Sequence, residues 1–304
     1  MMTTTTIDTN NFADMAQQMG MGADMTQKKQ TQQLARLKIN HSPIMGEIEV
    51  KGKKTQAAIV NGGTFKIEDL ANDTVHFADM ICIRPFVQRF MYKKFVKPEN
   101  GRGFYVKTVM ADSLNVDLKD NMGGFNCGKP TGWVKDYQAL PDKTKALLKS
   151  IKRVRVLIGT ISASDTVDLN GNSLSDIPLT NVPFIWEIDN RDAFKIMGEP
   201  VTKIASMKHI MPNHKMTVKT EERKLPNGSS FYLPVPSLTK DTLDINESDQ
   251  EKFGTFMQWI ENYNVYIFNS WKEKAKDAPM NNQDTTLVED FVNVSSATDD
   301  DIPF

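Results

Sequence analysis

Residues 81–94 read Ile-Cys-Ile-Arg-Pro-Phe-Val-Gln-Arg-Phe-Met-Tyr-Lys-Lys, and the parity of this stretch decides the fold class. In an extended chain, successive side chains point to opposite faces. One face would then carry Arg84, Phe86, Gln88, Phe90, Tyr92 and Lys94. The other would carry Ile81, Ile83, Val87 and Met91, interrupted by Arg89. A surface of rings and charges backed by aliphatic side chains is the pattern of a half-buried β-strand. Pro85 has no amide hydrogen, so it must sit at an edge or in a bulge. Turn residues at 98–103 would fold this strand back onto a second one at 104–110 as a hairpin.

Outward from this strand, short apolar or alternating segments recur at 48–51, 56–60, 75–83, 154–161, 184–188, 215–220 and 231–235. Asn61-Gly62-Gly63, Asn100-Gly101, Asn170-Gly171 and Asn227-Gly228 punctuate them, and Asn227-Gly228 reads as a hairpin turn. Many short strands separated this way suggest a barrel or a sandwich. Two helices accompany them. One covers 142–152, after Pro141. The other covers 249–274, where Ser248 and Glu251 form a capping-box pattern. Phe253, Phe256, Met257, Ile260, Tyr263, Ile267 and Trp271 recur along it at helical spacing, as a core-packing stripe that could also serve self-association. The expected class is therefore α+β and β-rich.

The stretch from Arg84 to Lys107 also carries the candidate chemistry. It holds seven bases (Arg84, Arg89, Lys93, Lys94, Lys97, Arg102, Lys107), one acid (Glu99) and six aromatics (Phe86, Phe90, Tyr92, Phe95, Phe104, Tyr105). Bases of a single strand stack on aromatic rings while Lys and Arg follow the phosphates, so both residue types are needed together. Strand aromatics are usually core, and about half of the six are expected to be buried. Residues 152–158 repeat the pattern, with Arg153 and Arg155 on one face and Val154, Val156 and Ile158 on the other. Trp133, beside Lys129 and Lys135 in a glycine-rich loop, is a further stacking candidate.

Charge divides the chain into three. Residues 1–33 are rich in Thr, Met, Gln and Asn and are expected to be disordered. Residues 34–276 hold 35 bases against 28 acids, a net of +7. Residues 277–304 hold seven acids and no Lys or Arg, an acidic tail that is also expected to be disordered. A basic body with an acidic tail suggests nucleic-acid binding by the body and protein interaction by the tail. The two cysteines, Cys82 and Cys127, lie far apart and suggest no disulfide framework, which fits a reducing cytosol. With no signal segment and no run as long as a membrane span, the expected location is cytoplasmic, with no membrane partner.

The chain finishes on Asp299, Asp300, Asp301, Ile302, Pro303 and Phe304. This ending resembles the C-terminal tip of bacterial single-stranded-DNA-binding proteins. The resemblance covers six residues, and the other 298 do not resemble the compact domain of the bacterial protein. It implies a phage-type single-stranded-DNA-binding protein carrying the host's tip, located in the host cytoplasm. It implies an OB-fold-like barrel with helical additions, and the binding and protection of single-stranded DNA in replication, recombination and repair. It also implies recruitment of partner enzymes through Asp299–Phe304.

Enzymatic readings are weaker, and no catalytic residue, cofactor or metal is expected. Gly123-Gly124-Phe125-Asn126-Cys127-Gly128-Lys129 fits the first seven positions of a phosphate-binding loop. Pro130 follows where a Ser or Thr should reach Mg²⁺, so the segment reads as a flexible glycine loop. Glu49-Val50-Lys51 resembles half of a metal-dependent nuclease site but has no acidic partner before it in the folded part. A nuclease that borrows the tip to stay near coated strands is the alternative reading, and an adaptor without DNA affinity is a third. His41, His76, His209 and His214 are scattered. His209 and His214 could meet Cys82 or Cys127, but not at a recognised ligand spacing.

Overall fold

The computed structural model describes residues 33–50, 53–98, 101–130, 133–134, 137–277 and 292–293. The expected disordered segments at both ends, and the tip Asp299–Phe304, lie outside the described residues except for Gln33, Asp277 and the two residues at 292–293.

The chain is α+β and strand-rich. Its strands are β1 (Ala35–Ile39), β2 (Ile44–Val50), β3 (Lys53–Val60), β4 (Phe65–Asp69), β5 (Thr74–Ala78), β6 (Ile81–Val96), β7 (Phe104–Lys107), β8 (Trp133–Val134), β9 (Ile151–Ala163), β10 (Leu179–Ile188), β11 (Met216–Lys224), β12 (Ser230–Leu238) and β13 (Val292–Asn293). Its α-helices are α1 (Asp142–Ser150), α2 (Arg191–Ile196), α3 (Glu199–Ser206) and α4 (Glu247–Asp277). Nine strands form one mixed sheet in the order β12-β11-β6-β9-β10-β1-β4-β5, with β7 branching from β6. Among the described residues only the β1–β10 pairing of this sheet is parallel. β2 and β3 form a separate ribbon, and β8 pairs with β13.

The sheet path is open among the described residues, so it is not the closed barrel that the resemblance implies. It is nonetheless strongly curled. In a flat sheet, five strand spacings of roughly 4.8 Å would put β11 about 24 Å from β4. Yet Thr220 of β11 donates a hydrogen bond to the carbonyl of Gly63, just before β4. The amide of Tyr232 in β12 donates to His41 Nδ1, just after β1, at 3.2 Å. The Tyr232 ring also lies against Gly62 and Gly63, where a Cβ would crowd it. Gly63 has φ of 87°, a second reason for glycine there. Inside this curl is one core cluster to which every strand of the open path contributes, including Leu37, Phe65, Ile83, Leu157, Trp186, Val218 and Leu233. Ala193 of α2, Met197 and Ile204 of α3 belong to the same core.

β6 sits inside the sheet between β11 and β9, and Pro85 is accommodated there by a bulge between Pro85 and Val87. The bulge satisfies the proline and reverses the parity expected for residues 81–94. Ile81 and Ile83 face the inner core, but beyond the bulge the odd residues Val87 and Met91 face the other side. There they meet Val154, Val156, Ile158, Ile185 and, from α4, Phe256 and Ile260. Arg84 and Phe86 join this outer side, whereas Gln88, Phe90 and Tyr92 lie opposite Leu157, Arg155 and Arg153 on the inner one. The two faces expected as one surface and one core are therefore each split at residue 86. At the free edge of β12, Pro234 and Pro236 are two apart, so both nitrogens face away from β11. The edge loses two donors, which discourages another strand from pairing there.

α4 starts two residues earlier than expected. Its capping box is not Ser248 with Glu251 but Asn246 with Asp249. The Asp249 amide donates to Asn246 Oδ1 at 2.9 Å, and the Asn246 amide donates to Asp249 Oδ2 at 3.4 Å. Further along, Asn264 clamps the main chain of Met110, accepting from its amide at 2.7 Å and donating to its carbonyl at 3.0 Å. Of the expected stripe, Phe256, Ile260 and Ile267 are buried, while Phe253 is exposed.

Two histidines, His76 and His214, are buried, and at His76 burial outweighs the opposing charge of Asp69. His76 lies between Thr166 Oγ1 at 3.1 Å and Thr74 Oγ1 at 3.2 Å. His209 Nδ1 and His214 Nε2 are 2.8 Å apart, and His214 Nδ1 has no hydrogen-bond partner among the described residues. Among the described residues no group of three or more metal-ligating side chains forms, so this pair gains no third ligand from Cys82 or Cys127. Burial pushes the pKa of His76 below its ordinary value; burial and then His209 do the same to His214. A histidine whose folded pKa is depressed stabilises the fold above its unfolded pKa of about 6.5 and destabilises it as pH falls below. The urea midpoint is expected to drop between pH 7.5 and 5.5, and less so in His76→Gln/His214→Gln. An equal drop in that variant would place the effect elsewhere.

Candidate nucleic-acid interface

The strongest candidate site is the far end of the β6–β7 hairpin. Lys93 pairs with Lys107, Lys94 with Val106, Phe95 with Tyr105 and Val96 with Phe104. Directly paired residues share a face, so Phe95 and Tyr105 meet, ring centres 5.1 Å apart and planes at 60°. Phe104 and Lys94 occupy the other face. Phe95, Phe104 and Tyr105 are 51%, 38% and 50% exposed, far above ordinary buried strand aromatics. The Phe95 ring lies over Gly103, where any Cβ would collide with it. Lys97 and Arg102 are exposed at the turn.

The charges at the hairpin's base are answered by acids from the end of β10. Lys93 is 2.7 Å from Asp189 and 3.6 Å from Glu187, and Lys107 is 2.7 Å from Glu187. Burial alone would depress the Lys93 ammonium, but its bond to Asp189 and the charge of Glu187 hold its pKa above the ordinary value. These two lysines are neutralised locally. Lys94, Lys97 and Arg102 have no ion pair among the described residues.

The remaining sequence candidates have other work. Arg84 grips Asp249 with two bonds of 2.9 Å and donates from Nε to the Pro212 carbonyl at 2.7 Å. Phe86 is 4% exposed and packs edge-on against Phe256. Tyr92 is 1% exposed, its hydroxyl within 3.3 Å of the Leu114 carbonyl and 3.0 Å of Lys129 Nζ. Arg89 pairs with Asp112 at 2.8 Å. Arg155 is buried, its guanidinium 5.1 Å from the Phe90 ring centre and 4.5 Å from that of Phe194. It also donates to Gln88 Oε1 and the Phe194 carbonyl. Arg153 is 5.5 Å from the same Phe194 ring. A base cannot stack on a ring already enclosed, so in this arrangement Phe86 and Tyr92 offer no platform. Phe90 is partly covered by Phe194. Trp133 lies in β8, and its side chain is outside the described residues. Lys97, one of the seven bases counted in the sequence, belongs to the exposed end, and so does Gly103, which the sequence marks only as part of the turn. Their signal was the turn between two aromatic strands.

The loop that fits a phosphate-binding motif is not a free anion cradle. The amides of Met122 and Gly124 donate to Asp120 Oδ1 at 2.9 and 3.0 Å. The cradle is filled by the chain's own buried carboxylate, and the loop expected to be flexible is tied down at both ends. Burial pushes the Asp120 carboxyl up against the pull of those amides. Glu49 is exposed on the β2–β3 ribbon, opposite Lys54.

No family model, curated protein or solved structure matches this chain. No helix among the described residues is long and apolar enough to cross a membrane.

Proposed function

We propose that this protein binds single-stranded DNA at the hairpin end formed by Lys94, Phe95, Lys97, Arg102, Phe104 and Tyr105. In this reading it shields single strands during replication, recombination and repair, and recruits partner enzymes through Asp299–Phe304. The observation that carries it is the coincidence, at one end of the hairpin, of three exposed aromatic rings with two exposed bases, Lys97 and Arg102, that have no ion pair among the described residues; Lys94, half-buried beside them, also acts on Asp120. Rings supply stacking that tolerates any base, and the cations supply phosphate neutralisation. The curled sheet, with helices added on both sides, supports an OB-like reading of the fold. The acidic, apolar-ended tip supports the recruitment role by its resemblance to the bacterial one.

Titrating a labelled single strand at several salt concentrations tests this. Affinity is expected to fall with salt, as phosphate neutralisation releases counterions. Phe95→Ala/Tyr105→Ala is expected to lose about 1–3 kcal/mol for each base that stacks there. Arg102→Ala is expected to flatten the log–log salt slope by about 0.7. A folded double variant with wild-type affinity would remove the hairpin from the site. Metal-dependent cleavage of the labelled strand would favour the nuclease alternative instead.

A further inference from the structure

A second group of rings and lysines lies where the glycine loop meets the C-terminal end of α4. Lys119 Nζ is 4.5 Å from the ring centres of both Phe268 and Trp271. Lys272 Nζ is 4.3 Å from that of Phe268. Phe268 and Trp271 are nearly parallel, at 12°, and Phe125, 44% exposed, meets Trp271 edge-on at 5.7 Å. None of Lys119, Lys272 and Lys274 has an ion pair among the described residues. A lysine in the last turn of a helix complements its dipole, which accounts for Lys274. It does not account for Lys119, which comes from a separate segment to sit on the same rings. Like charges gathered at one ring repel, and no ion pair among the described residues offsets them.

This cluster is continuous with the hairpin. The Asn121 side chain donates to the Tyr105 carbonyl at 3.4 Å and accepts from the Lys107 amide at 3.1 Å. Two residues on, Gly123 has φ of 89° and lies so close to α4 that a Cβ would come within 2.9 Å of the Ala275 nitrogen. The loop therefore runs from the back of Tyr105 to the last turn of α4, and Phe125 closes on Trp271.

We propose that the bound strand continues along this loop to a second subsite, where Phe125, Phe268 and Trp271 stack bases and Lys119, Lys272 and Lys274 take phosphates. This rests on the single-strand reading above and extends it by several nucleotides. In the free protein the ammonium groups cover the ring faces. An arriving base displaces them, and each turns to the adjoining phosphate.

The test uses the full chain and oligothymidylates of about 5 and about 15 nucleotides, within the site sizes of OB-type modules. The variant is Lys119→Ala/Phe125→Ala/Lys272→Ala, with its folding checked by thermal melting. The short strand is expected to bind as in the wild type. The long strand is expected to weaken by about 5- to 150-fold for the one stacking position lost. Its log–log salt slope should fall by about 0.7 per lysine. Wild-type affinity and slope on the long strand would overturn the subsite while leaving the hairpin standing, and so would equal losses on both lengths. A wild-type protein that binds neither strand would instead overturn the reading on which the subsite rests.

Discussion

Replacing Asp249 with Ala is expected to destabilise the fold by about 3–5 kcal/mol, because it leaves Arg84 charged and enclosed without a partner. The Arg84 side chain is 13% exposed and that of Asp249 3%. Asp249 has two tasks at once. It caps α4 through the box with Asn246, and it receives both terminal nitrogens of Arg84. Arg84 in turn holds the Pro212 carbonyl. One ion pair thus fastens β6, the turn at Met211–Asn213 and the start of α4. The Asn246 cap itself survives the change, because it accepts from the backbone amide at 249, and only the longer return bond from the Asn246 amide is lost. Arg84→Met/Asp249→Leu removes both charges and is expected to recover most of the stability, since a buried pair replaced by apolar groups is often neutral. Urea unfolding of the single and double variants gives the comparison. A cost below about 1 kcal/mol for Asp249→Ala would show the pair to be solvated in solution. The double variant also separates two roles for Arg84. If it binds single strands as the wild type does, the arginine is a staple and not a phosphate contact.

The same strand shows how much the sequence disclosed. Pro85 announced a bulge or an edge, and a bulge is what forms. What no local pattern could state was which side the extra residue would throw the following side chains. That single residue put Phe86 under α4 and Tyr92 into the core around Val106 and Leu118. The α4 stripe was legible because Phe256, Ile260 and Ile267 repeat over a helix long enough to show its period. α2 and α3 have six and eight residues, too few for a period to register. Each has a start signal only: Asn190, whose side chain accepts from the amides of Asp192 and Ala193, caps α2, and Pro200 sits in the first turn of α3. The charge count over 84–107 misled for a different reason. Glu187 and Asp189 lie some eighty residues beyond the window, yet they neutralise Lys93 and Lys107. Lys97 and Arg102, at the turn, have no ion pair among the described residues, and they are the bases that the proposed reading offers to phosphate. The β6–β7 hairpin itself was read correctly, because turn residues and aromatic strands on both sides are local signals.

Removing Phe304 is expected to reduce partner binding by roughly 30- to 1,000-fold, the loss of one hot-spot anchor worth about 2–4 kcal/mol. The residue carries an aromatic ring and, in a peptide ending there, a free carboxylate. Pro303 restricts the approach, Ile302 adds apolar surface, and Asp299–Asp301 can meet a basic rim. A partner built to read this ending needs an apolar pocket with an Arg or Lys for the carboxylate. Three peptides of residues 295–304 separate the contributions: the free acid, its C-terminal amide, and a version lacking Phe304. Each is titrated against a bacterial exonuclease that reads the tip of the bacterial single-stranded-DNA-binding protein. The amide should weaken binding by the worth of one charge-assisted contact, and loss of Phe304 should weaken it further, because ring and terminal charge are displaced together. Added salt should weaken the free acid more than the amide, since only the acid carries the terminal charge. In the full chain, deleting Phe304 is expected to leave single-strand affinity unchanged, because the hairpin rings and bases are untouched. Equal binding by all three peptides, or none by any, would detach this ending from partner recruitment and leave the strand-binding body to be judged by its own affinity.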